Sequence, residues 1–221
     1  MAKQEKSRVL IVEDHPLFSE GLSQMINRQP TTVVCGQVPD AASAMAAVAE
    51  LKPDLVLVDI SLDGGNGIDL IKSLKAKHED LQILVVSMHD ESLYAERALR
   101  AGALGYVMKN QPPRVVKAAI AHVLGGEIFL SEKMSASVLG KLLRGKNDVP
   151  VSPIEQLSDR ELEVFQMLGE GKPSRQIAEE LNLTIPTIHS FRNRIKEKLQ
   201  FKNSTEMVLH AMQWVRERMA R

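Results

Sequence analysis

A single cysteine, Cys35, excludes a disulfide within the chain, and with it the stapled frameworks of small secreted domains. Set in the apolar run Thr32 to Val38, that thiol reads as a buried structural group rather than a reactive one. No apolar stretch approaches the roughly 20 residues that a membrane-crossing helix needs, so no membrane partner is expected. The polar start, Met1 to Arg8, leads into an apolar run too short for a secretory signal; the cytoplasm is the expected location. Net charge is missing as well. Lysine plus arginine equals aspartate plus glutamate at 28 each, so overall charge announces no polyanion. Internal repeats and low-complexity tracts are also lacking, which removes solenoids and biased tails from consideration.

What is there is an ordinary globular composition, 44% apolar and 25% charged, in a chain long enough for one large domain or two modest ones. The charge is unevenly placed. Residues 1–130 carry 13 basic and 16 acidic side chains, whereas residues 157–221 carry 11 and 9. Within the second stretch Arg192, Arg194, Lys196, Lys198 and Lys202 stand against Glu197 alone. A basic stripe of this kind can dock a nucleic acid, although taken alone it equally describes a solvated helix face.

Five short apolar runs punctuate the first 130 residues: Val9–Val12, Thr32–Val38, Leu55–Val58, Ile83–Val86 and Gly105–Met108. Most lack polar alternation, which fits strands covered on both faces. Segments of helical period separate them, and strict alternation of the two implies right-handed crossovers and a parallel sheet. The expected fold class is therefore α/β followed by all-α: a flavodoxin-like doubly wound (βα)5 domain, then a small four-helix domain. After Gly125-Gly126 the pattern is helical only. Ser131 to Arg144 reads as one helix with Ser131 as N-cap, and Gly145 to Ile154 has linker composition. Ser158 with Glu161 forms a capping-box pattern; Ser174, Thr184 and Asn203 are set to open three further helices. The expected domains are 1–130, a linker helix and linker at 131–156, and 157–221.

In a doubly wound fold chemistry belongs at the carboxyl ends of the strands. The polar residues there are Glu13 and Asp14, Asp59, Ser87 and Lys109. Three carboxylates drawn together repel and resist ionising. A hard divalent cation relieves that, and magnesium suits a site of few protein oxygens and several waters. With an ammonium group from Lys109, such a site fits phosphoryl transfer to an aspartate. Singly, each residue has a bland reading as surface charge, turn residue or cap; their joint placement favours a site.

The stretches LIVEDHPLF, DLVLVDISLDGGNGIDL, ILVVSMHD and AGALGYVMK resemble the receiver domain of two-component signalling. The resemblance implies Asp59 as phosphoacceptor, Asp14 as direct metal ligand, Glu13 as its neighbour acting through water, and Ser61 as the position whose backbone carbonyl completes the metal site. It likewise implies Ser87 as the hydroxyl that bonds the phosphoryl group, Lys109 as the family's lysine, and Tyr106 as the switch aromatic that turns inward as that hydroxyl shifts. Ser61 and His89 lie where family members tune loss of the phosphoryl group. Leu62 and Asp63 stand where the family often has Met-Pro, Gly67 keeps the expected glycine, and Asn110 and Gln111 intervene before proline.

Thr184 to Leu199 has helical period, with Ile188, Phe191, Ile195 and Leu199 toward a core and His189, Arg192, Asn193 and Lys196 on a donor-rich face. A helix in the major groove needs such a face, because hydrogen bonds read base edges and cations hold phosphates. The stretch LSDRELEVFQMLGEGKPSRQIAEELNLTIPTIHSFRNRIKEKLQ resembles the LuxR-type helix-turn-helix, which with a receiver makes the NarL/FixJ family. By position, His189, Ser190 and Asn193 are implied for base contacts and Arg175, Arg192, Arg194 and Lys196 for phosphates. The last helix, Ser204 to Arg218, joins two copies on DNA in the family, and Trp214 reads as packed.

The expectation is a phosphorylation-dependent transcription regulator rather than an enzyme. Its implied cofactor is Mg2+, and its implied partners are a sensor histidine kinase, double-stranded DNA and a second copy of the chain. The alternative is a pseudo-receiver set by a partner or ligand without phosphate. A third reading, hydrolysis of external phosphate esters, leaves the second half unexplained.

Overall fold

The structure is a computed structural model that describes residues 5–62, 65–144 and 153–219; Asp63 and the expected linker residues 145–152 lie outside the described residues. The chain divides into two compact units, Met1–Asn147 and Asp148–Arg221.

The first unit is built on β1 (Ser7–Val12), β2 (Thr32–Val38), β3 (Leu55–Val58), the two-residue β4 (Ser61–Leu62) and β5 (Gly65–Asn66), β6 (Gln82–Ser87) and β7 (Gly105–Met108). Five of these form one parallel sheet in the order β2-β1-β3-β6-β7. Runs such as Leu55-Val-Leu-Val58 are buried on every residue, as a sheet with helices on both faces requires. Along β1, Val9 and Ile11 point to one face, where Leu22 and Ile26 of α1 (Pro16–Asn27) and Val116, Ile120 and Val123 of α5 (Pro113–Leu124) complete the core. Leu10 and Val12 face the side of α2 (Ala41–Leu51), α3 (Gly67–Lys77) and α4 (Glu91–Ala101). Asp40, Asn66 and Asp90 each accept a backbone N–H as N-cap of these three helices. Cys35 is half-buried rather than enclosed, because β2 is an edge strand; burial still lifts its thiol above the ordinary range.

Two features escaped the sequence pattern. β4 and β5 pair as a small antiparallel hairpin just beyond Asp59. The segment after Gly126 is not purely helical: Phe129 lies along β7, accepting from Tyr106 N–H at 3.0 Å and donating to the Leu104 carbonyl at 2.9 Å. It satisfies backbone groups of the outer strand that would otherwise face solvent. Next comes α6 (Glu132–Arg144), whose Met134 N–H is bonded by the Ser131 hydroxyl. The Ser131 N–H donates to Glu91 Oε1 at 2.8 Å, tying the start of α6 to the start of α4.

The second unit opens with a short 3-10 turn (Pro153–Gln156), followed by α7 (Asp159–Gly169), α8 (Ser174–Glu180), α9 (Ile185–Lys198) and α10 (Ser204–Met219). Its core is Leu162, Phe165, Leu168, Ile177, Ile188, Ile195, Met207 and Ala211. Trp214 packs on Phe165 with ring centres 5.6 Å apart. Helices α7 and α10 approach so closely that a Cβ on Gly169 would lie 2.4 Å from the Ala211 carbonyl oxygen. The capping box of Ser158 and Glu161 is present. One cap differs from expectation. Pro173, not Ser174, is the N-cap of α8, its carbonyl accepting from Ile177 N–H, while the Ser174 hydroxyl is taken by Arg192. Among the described residues no helix is long and apolar enough to cross a membrane.

Candidate functional site

The chain runs outward from β1 to β2 on one side, then returns to place β3 on the other side of β1. That reversal opens a crevice at the carboxyl ends of β1 and β3. Val12 and Val58 are register partners, so Glu13, Asp14 and Asp59, the residues immediately beyond, come together. The Asp59 N–H donates to the Val12 carbonyl at 3.0 Å and fixes this juxtaposition. Ser87 ends β6 and Lys109 follows β7, held by a 2.8 Å bond from Lys109 N–H to the Ser87 carbonyl. Four strand ends thus converge.

Lys109 is the hub. Its Nζ lies 2.6 Å from Glu13 Oε2 and 2.8 Å from Asp59 Oδ2, with all three side chains at most 5% exposed. The Phe18 ring of α1 sits 4.6 Å from the ammonium and keeps water off one side of it. Burial disfavours the charged form of Lys109, yet the Asp59 and Glu13 carboxylates more than compensate and hold it above its ordinary pKa. Glu13 is shifted up, by burial first and then by the charge of Asp59, with Lys109 pulling the other way. Asp59 Oδ1 accepts the Ile60 N–H at 2.6 Å. Both Asp59 oxygens are thereby aimed by the fold, one at a backbone donor and one at the ammonium.

Gly67 is required where it stands. Its N–H donates to the Ile60 carbonyl at 2.7 Å, and a Cβ there would lie 2.0 Å from the Asp59 carbonyl oxygen.

The carboxylates of Glu13, Asp14 and Asp59 and the imidazole of His15 bring ligand atoms within 4.8 Å of one another. His15 is 70% exposed, and its Nδ1 lies 2.7 Å from Asp14 Oδ1 and 3.0 Å from Glu13 Oε1. Partial burial lowers its pKa, but the Asp14 carboxylate outweighs this and leaves it raised.

Ser61, Ser87 and Tyr106 meet at one residue, His89. Its Nε2 lies 2.8 Å from Ser61 Oγ, its N–H donates weakly to Ser87 Oγ at 3.4 Å, and its carbonyl accepts the Tyr106 hydroxyl at 2.9 Å. The His89 ring rests on Tyr94, centres 4.6 Å apart. Tyr106 is in the inward position, and burial pushes its phenol well above the ordinary value of 10.

In the second unit α9 buries Ile188 and Ile195 and exposes His189, Ser190, Asn193 and Arg194, with Arg192 and Lys196 half-buried. Two of the expected cations have protein partners. Arg192 Nη1 donates to Ser174 Oγ at 2.6 Å and so braces α9 against α8, and Arg175 pairs with Glu179 at 3.1 Å. Arg194 lies beside the Phe191 ring.

Sequence reasoning missed His15 and Phe18 as lining of the acidic pocket. His15 had a local signal, adjacency to the acid pair. Phe18 had none, because its place beside Lys109 depends on how α1 docks across the sheet.

A doubly wound domain with an aspartate, two further acids and a lysine at its switch point, followed by a helix-turn-helix unit, defines a two-component response regulator. Sequence comparison gives the same class. The response regulator receiver domain family matches residues 9–121, and the bacterial regulatory proteins, luxR family, match residues 155–211. The chain belongs to the LuxR-type response regulators, the NarL/FixJ family. It is 30% identical over 219 residues to the nitrate/nitrite response regulator protein NarL of Escherichia coli strain K12, covering 98% of each chain. It is also 30% identical over 209 residues to the oxygen regulatory protein NreC of Staphylococcus haemolyticus, covering 93% of this chain and 96% of that one. Among solved structures, RcsB from Salmonella enterica serovar Typhimurium bound to promoter rprA with the phosphomimetic BeF3- is 25% identical, covers 94% of this chain and 99% of its own, and has a TM-score of 0.62.

Proposed function

We propose that the chain is a phosphorylation-gated transcription regulator in which Asp59 accepts a phosphoryl group from the phosphohistidine of a sensor kinase. The observation that carries the reading is the placement of Asp59 Oδ2 at 2.8 Å from a buried ammonium, beside two more carboxylates. In the transfer, an Asp59 oxygen forms a bond to phosphorus as the P–N bond to the kinase imidazole breaks. Lys109 stays protonated and neutralises charge on the phosphoryl oxygens, and Ser87 donates to one of them.

Of the four groups that converge, the carboxylates of Glu13, Asp14 and Asp59 are hard oxygen donors that fit Mg2+ with several waters retained, while the exposed His15 imidazole is already paired with Asp14 and Glu13. Asp14 and Asp59, with the backbone carbonyl of Ser61, would hold it directly and Glu13 through water. When bound, the ion supplies further neutralisation of the transferring oxygens. Ser61 and His89, bonded to one another, govern water access to the aspartyl phosphate and so its lifetime.

Residues 1–130 act as the receiver, 131–156 as linker helix and linker, and 157–221 as the DNA-binding part. His189, Ser190 and Asn193 contact bases; Arg194 and Lys196 hold phosphates, aided by Arg175 and Arg192. Two copies joined through α10 occupy a two-fold symmetric site on double-stranded DNA, with half-sites about one helical turn apart. Because the target is chromosomal DNA and the donor a kinase phosphohistidine, the working location is the cytoplasm.

The test is intact mass after incubation with Mg2+ and acetyl phosphate. One phosphoryl adduct on the wild type, absent from Asp59→Asn and absent when Mg2+ is chelated, is the expected result. No adduct on either protein would replace this reading with a pseudo-receiver.

A further inference from the structure

We propose that Ile185 reads the C5-methyl group of a thymine, making it a further specificity determinant of α9; the inference rests on the reading of α9 as the helix that enters the major groove. Ile185 is a large apolar side chain left 42% exposed at the first position of that helix. At 100° per residue it shares a face with His189, Asn193 and Lys196, which follow at i+4, i+8 and i+11. The face that carries donors and cations therefore begins with a residue that has neither.

The first turn is held firmly. The Thr184 hydroxyl accepts the Thr187 N–H at 3.3 Å and bonds the Thr187 hydroxyl at 2.8 Å, and Pro186 fixes the backbone at the second position. Ile185 is thus presented at little further cost in backbone freedom. In helix-turn-helix proteins the N-terminal residues of the second helix are the ones that reach base edges. The major-groove edges of the four bases offer donors, acceptors and one apolar group, the thymine methyl. An isoleucine pressed against any other edge would strip water from a polar group and return no hydrogen bond. Against the methyl it buries apolar surface on both sides. His189 lies four residues on, about 6 Å along the helix axis, so the thymine falls within about two base pairs of the one His189 faces.

The experiment uses the full chain, treated with acetyl phosphate and Mg2+, and a site selected by it from a random DNA pool. Each thymine of that site is replaced in turn by deoxyuridine, which removes the methyl and nothing else. Wild type is expected to lose about fourfold in affinity at one thymine per half-site. Ile185→Ala is expected to bind thymine and deoxyuridine equally there while keeping the wild-type response elsewhere, and Ile185→Val to retain part of the difference. If Ile185→Ala stays as sensitive as wild type at every thymine, the proposal is overturned although α9 still reads DNA. Failure of the wild type to enrich any sequence overturns the DNA reading of α9 itself.

Discussion

Lys109 and Glu161 are both tied to buried charge, and they differ in how much of that arrangement is written locally. Lys109 balances two carboxylates that are almost dry. Removing it leaves Glu13 and Asp59 facing each other in a poorly polarisable crevice, so Lys109→Ala should lose about 3 kcal/mol of stability without divalent ions. Added Mg2+ should recover more of the melting temperature in the variant than it adds to wild type; equal increments would show that Lys109 does not carry the charge balance. Glu161 was legible from sequence as half of a capping box, and its Oε2 does accept the Ser158 N–H at 2.7 Å. Its second partner, the Lys198 ammonium at 2.6 Å, was not legible, since 37 residues and the packing of α7 on α9 separate them. Burial pushes the Glu161 carboxyl up, but the bonds from Lys198 and Ser158 outweigh it and leave it below its ordinary 4.5. A lowered carboxylate contributes stability that is full above 4.5 and lost as pH falls through the folded-state value. Glu161→Gln should therefore cost about 1.5 kcal/mol at neutral pH, a modest figure because Lys198 is 40% exposed and screened. The gap between the two melting curves should close on acidification below pH 4.5; a gap constant with pH would assign the loss to packing.

At the scale of elements, periodicity located what is long and caps located where it starts. The reading Thr184 to Leu199 matches α9 with Thr184 and Leu199 as its caps, and the Asn203 side chain does accept the Glu206 N–H. Two-residue strands have no period, so β4 and β5 could not be seen. The Phe129 strap is equally invisible, because it exists to satisfy the outer edge of β7, a tertiary circumstance. The acidic pocket was legible because it follows from topology: once five parallel strands were placed, their carboxyl ends had to converge. The face of α9 supports a paired prediction. Asn193 is exposed and can exchange two hydrogen bonds with a base edge, so Asn193→Ala should weaken binding by about 1–3 kcal/mol at one base position and relax specificity there. Lys196→Ala should weaken binding to all sequences and reduce the slope of log affinity against log salt by about 1 per subunit. Fluorescence anisotropy across a salt series separates these, and equal behaviour of the two variants would undo the assignment of the face.

At the scale of the whole molecule, the proposed gating requires that a phosphoryl group in the first unit alter what a helix in the second can do, and α6 is the last described helix of the first unit in chain order. Its start is bound to the pocket by a short chain of contacts. Tyr106 donates its hydroxyl to the carbonyl of His89, whose N–H reaches Ser87. The Tyr106 N–H also holds the Phe129 carbonyl, and two residues later Ser131 donates its N–H to Glu91 at the head of α4. Any shift of Tyr106 or of the first turn of α4 thus bears directly on the residue that caps α6. Glu91 belongs to α4 and is neither a member of the acidic pocket nor part of α9, so Glu91→Ala separates the connection from the chemistry and from the grip on DNA. The acetyl phosphate adduct should form on the variant as on wild type, and its DNA affinity without acetyl phosphate should change little. The gain in affinity on phosphorylation should shrink by about fivefold, the worth of one partly exposed charged hydrogen bond. An undiminished gain, with the adduct confirmed by mass in the same sample, would mean that the signal leaves the receiver by a route that does not pass through the start of α6.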